Sequence, residues 1–405
     1  MALDFYQVRE QIKKLGENAS LRDRRLGELR QKAVFWLNDQ ALDLDGLRGK
    51  VQLVVHNYDP SLRCALPASA PGEAPDALNS RYPSPALPPI ATILAADGSQ
   101  IAPDRHAAVN FSLVNVGAIQ TELGSSRAPQ VSIQSRLLYD EELTTEGGIL
   151  TDARLALIRD LNERRRLVEL ATLATPPVIT FTDGPMELWG VREGEAETEF
   201  QKSLGLYIEA LEQLHALNVT TAGYVDKPGA TLVVRLLEVA MLAEAELPEI
   251  KKSFPLRGVL DIDLFRDLLL TGERTAVFAI QFKTAPHYRG DLSLHFFYLN
   301  VGRAGHPWLA RVEIPAWVAG DPAKLDNLHA VLVQQCQIMG SRPYPYLLHR
   351  AHEAAVVSMQ EKDQAAQMIA LELRKQGAEV GEISHKQASK GLRGRTSYGR
   401  GPKRN

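Results

Sequence analysis

The sequence predicts an α/β fold in which helices flank a mixed β-sheet that begins near Ile90. Two observations predict it. Short apolar runs of strand length alternate with longer segments whose apolar residues recur at helical spacing, and turn-forming Asp-Gly and Pro-Pro pairs separate them. The chain has 405 residues, 45% of them hydrophobic and 23% charged, so it can form one large elaborated domain or two smaller ones.

The N-terminal part of the chain is predicted to be a helical extension over residues 1–50. Apolar residues at helical spacing indicate two helices within residues 4–43. Pro, Ser, Ala and Asp are frequent from residue 57 to residue 90, which is typical of irregular chain. We therefore expect an irregular connection over residues 51–89 and a main domain over residues 90–380.

The main domain begins with three predicted strands, at Ile90–Ala96, Ala107–Gly117 and Gln130–Tyr139. Helices and strands then alternate. The predicted elements are a helix that Thr151 or Asp152 caps and that runs to about Ala174, strand Val178–Thr182, helix Glu199–Leu217, strand Val219–Val225 and helix Ala230–Ala243. This is the element order of the ribonuclease H-like fold, and in such folds chemistry collects at the carboxyl ends of the strands.

Further strands and helices are predicted in the C-terminal part of this domain. The segments Thr275–Phe282, Leu292–Asn300 and Trp308–Pro315 indicate antiparallel strands. A helix is predicted at Pro322–Met339, and a single long one from Tyr346 to about Gln376. The predicted fold is thus a ribonuclease H-like mixed-sheet core with a helical N-terminal extension and additional C-terminal strands and helices.

Residues 381–405 form a basic tail that we expect to be disordered. It contains no acidic residue after His385 but seven basic ones: Lys386, Lys390, Arg393, Arg395, Arg400, Lys403 and Arg404. The rest of the chain has 39 basic and 49 acidic residues. The formal net charge is therefore −3 for the whole chain but −10 without the tail. An acidic body does not exclude nucleic acid, because a local groove can still be basic. The tail either contacts phosphate weakly or only solubilises the chain.

Composition and missing motifs narrow the function classes. No apolar run reaches the roughly 18 residues that a membrane span needs, so we expect a soluble protein. Cys64 and Cys336 are the only cysteines, which suits a reducing cytoplasm and excludes a cysteine zinc site. The sequence has no P-loop and no Gly-rich dinucleotide fingerprint, which argues against ATP hydrolysis by this chain.

Two Asp-Gly pairs follow predicted strands, at Asp97 and at Asp183. A single pair is most simply a turn, since Asp and Gly favour turns. Two of them, after strands that the fold order places side by side, indicate carboxylates that converge and need cations between them. Magnesium or manganese with oxygen ligands is the natural partner, and such ions can promote phosphodiester hydrolysis.

A third carboxylate is expected from the helix between these strands, where Glu163 and Glu169 are the choices. We prefer Glu169, because it lies near the helix end and close in sequence to the next strand. Arg165, one turn earlier, either supports it or forms an ordinary surface ion pair. A solvated helix face is the alternative for both glutamates.

Two further segments carry candidate residues. Lys227 follows a strand and precedes a helix, where it either binds an anion or is a solvent-facing lysine paired with Asp226. The string RPYPYLLHRAHE contains Tyr344, Tyr346, His349 and His352. One histidine is expected to ligate metal or contact phosphate, and one tyrosine to stack on an unpaired base; an amphipathic helix start is the plainer alternative.

Four strings, taken together, resemble the NurA nucleases: ILAADGSQI, VITFTDGPMELWG, AGYVDKPGA and RPYPYLLHRAHEAAV. They occur in the order found in that family and span residues 90 to 360. The resemblance implies a homodimer with manganese- or magnesium-dependent nuclease activity on single- and double-stranded DNA ends. It also implies partnership with a HerA-type hexameric ATPase, a DNA translocase, in end resection and double-strand break repair.

The same resemblance assigns roles to individual residues. Asp97 and Asp183 match the family's two metal-binding aspartates, and Lys227 looks like its active-site lysine. His352 looks like the late histidine that completes or neighbours the metal site, and Tyr344 is the nearer candidate for the tyrosine. Glu169 fits the position of the helix glutamate better than Glu163. The predicted metal ligands are thus Asp97, Asp183, Glu169 and His352.

Two other functions remain open at this point. A catalytically inactive DNA-binding scaffold would keep the fold without binding manganese. A metal-dependent hydrolase or phosphotransferase acting on small phosphorylated molecules would lack salt-sensitive affinity for DNA.

Overall fold

The computed structural model describes residues 4–68, 75–104, 107–145, 148–190 and 195–378. The whole of the predicted tail, residues 381–405, lies outside these residues. Within them, no helix is both long and apolar enough to cross a membrane.

Helices α1 (Phe5–Glu17), α2 (Ala19–Asp39) and α3 (Leu44–Asn57) open the chain. The two helices predicted within residues 4–43 are confirmed. The first begins where the Asp4 side chain accepts hydrogen bonds from backbone N–H groups of the first turn. The second buries Ala33 and Leu37 against the rest of the molecule.

The expectation of an irregular connection over residues 51–89 is corrected in part. Helix α3 extends into it, and two short strands follow, β1 (Cys64–Pro67) and β2 (Arg81–Tyr82). Both strands join the main sheet, β1 against a strand more than 200 residues later. Local composition could not predict this, because such short strands are stabilised by partners that lie far away in sequence.

The predicted core follows in the predicted order. Its strands are β3 (Ala91–Ile101), β4 (Ser112–Leu123), β5 (Gln130–Leu138), the minor pair β6 (Thr144–Thr145) and β7 (Gly148–Ile149), β8 (Val178–Asp183) and β9 (Thr220–Val225). Its helices are α4 (Asp152–Leu173), α5 (Glu195–Ala216) and α6 (Leu232–Met241). The Thr151 side chain caps α4, as expected for one of the two candidate caps.

The C-terminal part adds strands to one edge of the sheet and helices to its faces. The strands are β10 (Arg274–Thr275), β11 (Phe278–Gln281), β12 (Leu294–Asn300) and β13 (Leu309–Pro315). The helices are α7 (Asp261–Phe265), α8 (Ala316–Ala319), α9 (Pro322–Ile338), α10 (Tyr346–Ala355) and α11 (Met359–Lys375). The single long helix predicted from Tyr346 is therefore two. The chain breaks at Val356, and Ser358 caps the second helix in a reciprocal pair with Glu361.

One mixed sheet runs through the whole molecule in the order β1-β11-β12-β13-β9-β8-β3-β4-β5. Strands β3, β8 and β9 are parallel neighbours, whereas β4 and β5 continue antiparallel from β3, and β13 pairs antiparallel with β9. This is the ribonuclease H-like arrangement that the element order predicted. Helix α4 covers one face of β3 and β4, and α10 covers the other.

Asp261, at the start of α7, is a fully buried carboxylate in the C-terminal half. It accepts hydrogen bonds from the backbone N–H groups of Leu232 and Val234, at 2.7 and 2.8 Å, and so caps α6 from outside that helix. The Tyr298 hydroxyl donates a third at 2.7 Å. Burial still dominates and raises the pKa of Asp261 from 3.8 to about 6.

We expect Asp261 to make the free energy of unfolding fall as the pH rises from about 4 to about 6. A carboxyl whose pKa is raised by folding binds more protons in the folded state, so stability is lost as the pH rises through the folded value. The contribution is at most about 3 kcal/mol. Denaturant unfolding of wild type and Asp261→Asn at both pH values would measure it. The variant should show the smaller change, and equal changes would contradict the assignment.

Candidate active site

Asp97 and Asp183 lie side by side on neighbouring parallel strands. The register pairs Ala96 with Thr182, so the next residue on each strand is one of the aspartates. Side chains at matched positions point to the same face of a sheet. Asp97 lies within β3 rather than at its end, because that strand continues to Ile101 against β4 alone. The parallel pairing of β3 with β8 ends just before Asp97, after the pair of Ala96 with Thr182.

The two carboxylates influence one another electrostatically. Asp183 lies exposed at the mouth of the site, yet the protein around it partly desolvates the carboxyl and raises its pKa. The negative charge of Asp97 raises it further, and a hydrogen bond from Tyr344 opposes the shift. Asp97 itself is largely covered, with 15% of its side chain exposed. The structure therefore brings together the two aspartates and Tyr344.

Helix α10 brings His352 to this face. Its Nδ1 lies 2.7 Å from Asp97 Oδ2, while most of the ring stays exposed. The helix can sit this close because Gly117 stands opposite Asp97 on β4. A Cβ on Gly117 would lie 2.6 Å from the Ala351 carbonyl oxygen in the α10 backbone. The position of His352 thus depends on a glycine in the sheet below it.

The last turn of α10 is anchored to the same strands. The backbone carbonyl of Ala355 accepts hydrogen bonds from the Ser99 hydroxyl and from the Asn115 amide, the latter at 2.8 Å. Ser99 lies two residues after Asp97 and so shares its face of β3. The Asp97-Gly98-Ser99 segment therefore supplies both a candidate ligand and the anchor of the helix that carries His352.

Glu163 approaches from the opposite side of the sheet. It is buried on α4 beneath Gly98, where a Cβ would lie 2.7 Å from Glu163 Oε1. Burial raises the pKa of Glu163 well above its usual value, and the charges of Asp160 and Asp97 act in the same direction. Arg159 opposes them, with its Nε 3.4 Å from Glu163 Oε1. Glu163 is thus electrostatically part of the aspartate site.

The preference for Glu169 is not supported by where the structure places it. Its carboxylate is half exposed and pairs with Arg166 at 2.7 Å. A helix that precedes a parallel strand runs back across the sheet, so residues near its end lie at the start of β8, away from Asp183. Glu163 is six residues earlier in the helix. It therefore lies about 9 Å closer to the carboxyl ends of the parallel strands, and on another side of the helix. One feature of the sequence could have identified Glu163. It lies four residues before Leu167, and this spacing places it on the buried apolar face of the helix.

Lys227 and Asp226 follow β9 beside this edge. They do not form the ion pair that the solvent-facing interpretation of Lys227 predicts. Asp226 instead accepts a hydrogen bond from the Trp308 indole at 2.7 Å, and Lys227 Nζ lies 4.1 Å from the centre of the same ring. The charge of Asp226 contributes to the raised pKa of Asp183. Lys227 is exposed, with a backbone φ of +43°.

The tyrosines and histidines of RPYPYLLHRAHE separate into two groups. Tyr344 packs edge-on against Tyr224, and burial, together with the nearby charge of Asp183, raises the pKa of its hydroxyl. His349 pairs with Glu353 at 3.5 Å on its own helix, whereas His352 reaches Asp97. The two histidines thus have different partners.

Two arginines on α4 were not identified from the sequence. Arg159 is held by Asp160 at 2.7 Å and by Glu163, next to Asp97. Arg164 is fully buried and donates to the Thr182 and Thr221 hydroxyls, at 2.7 and 3.2 Å. It therefore ties α4 to β8 immediately before Asp183. Arginines in charged helices are usually surface residues, so only the tertiary structure distinguishes these two.

The donor set matches a hard divalent cation in kind, because Asp97, Asp183 and Glu163 offer carboxylate oxygens and excess negative charge. As the side chains stand, no three or more His, Cys, Asp or Glu residues in the described chain are gathered closely enough to hold an ion. Asp97 is tied to His352, and Glu163 to Arg159. Cation binding would replace these contacts with bonds from the carboxylates to the metal ion.

The fold and site define an α/β protein with a ribonuclease H-like core and a carboxylate site at its parallel edge. A model of the NurA domain matches residues 91–357, about two thirds of the sequence. The chain therefore belongs to the NurA family, as the four motifs indicated.

Solved structures with a similar fold are distant in sequence. The NurA nuclease from Sulfolobus solfataricus is 12% identical and aligns over 84% of this chain and 95% of its own, with a TM-score of 0.44. A second NurA crystal structure, also 12% identical, aligns over 91% and 98%, with a TM-score of 0.37. Endonuclease V from Ciona intestinalis is 8% identical over 69% and 87%, at 0.31. No curated protein sequence matches this chain.

The contact between Gly117 and α10 predicts a large effect of a single methyl group. Gly117→Ala should lower the free energy of unfolding by about 1–3 kcal/mol, because the new Cβ would meet helix backbone that cannot rotate away. Gly49→Ala is the matched control. Gly49 lies in α3 with open space around it, so this change should be neutral or should stabilise by up to about 1 kcal/mol. Chemical denaturation measures the free energy of unfolding of both variants. An unchanged value for Gly117→Ala would contradict the prediction, because it would mean that α10 can shift away from the sheet without loss of stability.

Proposed function

We propose that this NurA-family chain is a metal-dependent nuclease that hydrolyses phosphodiester bonds in DNA. One observation carries the proposal: Asp97 and Asp183 meet at one edge of the sheet, where partial burial and the charge of Asp97 raise the pKa of Asp183. Two neighbouring carboxylates repel one another unless a cation compensates their negative charge. A divalent cation bound between them would do so.

Asp97, Asp183 and Glu163 are the proposed holders of manganese or magnesium. Glu163 replaces the initially preferred Glu169, and His352 completes or neighbours the site through Asp97. A bound divalent ion would supply an activated water and stabilise the charge that develops on the leaving oxygen. The raised pKa of Glu163 and of Asp183 implies that cation binding is weaker in acid, where these carboxyls hold protons.

The chain's own residues have complementary tasks in this proposal. Lys227, which is exposed beside the edge, offsets the negative charge of the scissile phosphate. The Tyr344 hydroxyl orients Asp183 by hydrogen bonding to its carboxylate. His352 orients Asp97 in the same way, through Nδ1.

The cellular context is proposed on the family resemblance. The substrates are single- and double-stranded DNA ends, handled by a homodimer during end resection and double-strand break repair. A HerA-type hexameric ATPase is the proposed partner, and it would supply the movement along DNA for which this chain has no P-loop. Cytoplasmic action is consistent with Cys64 and Cys336 being buried free thiols.

Cleavage assays with manganese on paired helix variants test the site directly. Glu163→Gln should slow DNA cleavage by roughly 100-fold or more, since losing a charge that acts in the transition state costs about 3 kcal/mol. Glu169→Gln is the matched control, because it makes the same change on the same helix at a position facing solvent. Its activity should equal that of the wild type.

Asp97→Ala and Asp97→Asn complete this set. Both should abolish manganese-dependent cleavage while circular dichroism shows a folded protein. Cleavage at the wild-type rate by either folded variant would reject the catalytic assignment of Asp97.

A second candidate function is a DNA-binding scaffold without catalysis. The observation that favours it is that no three ligand side chains in the described chain are gathered around one point, while Asp97 and Glu163 already have cationic or neutral partners. Calorimetric titration with Mn²⁺ separates the two functions. The nuclease should bind manganese in the micromolar range, with weaker binding in Asp97→Asn, whereas a scaffold should give no binding heat.

A further inference from the structure

A basic groove opens beside the proposed catalytic edge. It has a volume of about 490 Å³, within the range of roughly 300–1,000 Å³ that ligand sites occupy. Arg266, Arg303, His306 and Trp308 line it, and none of the described residues lining it is acidic. This is unusual for a chain whose body has ten more acidic than basic residues once the tail is set aside.

The cations in this groove are not committed to internal partners. Arg266 and Arg303 are exposed, and neither forms an ion pair with a carboxylate in the part of the chain that the structure describes. Arg159, by contrast, is paired with Asp160. Guanidinium groups that are both exposed and unpaired are available to an anionic ligand, and phosphate suits their geometry.

The loop between β12 and β13 that carries three of these residues is held in one conformation. Gly305, at φ +75°, closes a tight turn in which Arg303 and His306 exchange backbone hydrogen bonds. A Cβ on Gly302 would lie 2.3 Å from the His306 carbonyl oxygen, so only glycine fits there.

Asn300 fixes this loop to the other wall of the groove. Its side-chain oxygen accepts from the backbone N–H groups of Gly302 and Trp308, at 3.0 and 3.1 Å. Its amide donates to the Leu269 carbonyl at 2.9 Å, in the segment that follows Arg266. A groove whose walls are already ordered loses little entropy when it binds a ligand.

The groove joins the catalytic edge at two points. Trp308 lines the groove and also donates to Asp226, whose charge acts on Asp183. Pro343 lines it as well and is followed directly by Tyr344, which contacts Asp183. A strand lying in the groove would therefore continue into the site without crossing another part of the surface.

We infer that this groove binds an unpaired strand of DNA next to the scissile phosphate. Arg266 and Arg303 contact its phosphates, and Trp308 stacks on a base. Partly buried aromatic rings interleaved with cations are the usual means of holding single strands without reading their sequence. The inference rests on the proposed nuclease function, since that function supplies the polymer that passes the edge.

Anisotropy titrations with a fluorescent oligo-dT, in EDTA to prevent cleavage, test the groove. The double variant Arg266→Ala/Arg303→Ala should bind roughly 10- to 30-fold more weakly at about 0.1 M salt, and its logarithmic salt slope should fall by about 1.4. Arg24→Ala/Arg25→Ala is the control, because it removes the same charge from the exposed surface of α2. Its affinity and slope should match the wild type.

Tryptophan fluorescence gives a second readout. Oligo-dT should quench wild-type fluorescence, and Trp308→Phe should lose most of that quenching. Trp189→Phe, which changes an exposed tryptophan outside the groove, should keep it.

Several results would overturn the inference. These are an unchanged salt slope in the Arg266/Arg303 variant, quenching that survives Trp308→Phe, or an equal loss of affinity for a blunt duplex and for the single strand. Hydrolysis of a small activated phosphodiester by the wild type with manganese reports on catalysis separately. Because binding is measured without metal, a failed groove and a failed nuclease give different results.

Discussion

The repulsion between Asp97 and Asp183 is the constraint on which the site depends. Parallel pairing of β3 with β8 holds the two carboxylates at matched positions, and partial burial together with the charge of Asp97 raises the pKa of Asp183. Isolated strands would not hold them there, because like charges at adjacent positions separate wherever the chain is free to move. The apolar core on both faces of the sheet supplies the stability that keeps them together.

Three consecutive residues connect this pair to both helical layers. Asp97 and Ser99 face α10, and they contact His352 and the last backbone carbonyl of that helix. Gly98 faces α4 and leaves room for Glu163 and Arg159. One segment of β3 thus sets the distance of both helices from the sheet, and the side chains that surround the aspartates follow from it. Glycines are needed wherever backbone or side chains approach this closely.

Positive charge is distributed around the site in two ways. Arg159 and Arg164 are bound to internal partners and stabilise the folded arrangement of α4 beneath the sheet. Lys227, by contrast, lies exposed above the edge, and Arg266 and Arg303 lie exposed in the adjoining groove. The first group compensates charge that the fold itself buries. The second is free to compensate charge that arrives with a ligand.

The sequence by itself determined the order of strands and helices in the core, the positions of the two aspartates and the family, because each follows from local periodicity or from motifs. It did not determine which helix glutamate faces the aspartates, since that depends on α4 running back across the sheet. Nor did it predict that β3 continues beyond Asp97 or that β1 joins the sheet. The contact between His352 and Asp97 joins residues 255 positions apart. Only the tertiary structure decided such features, because local spacing carries no information about distant packing partners.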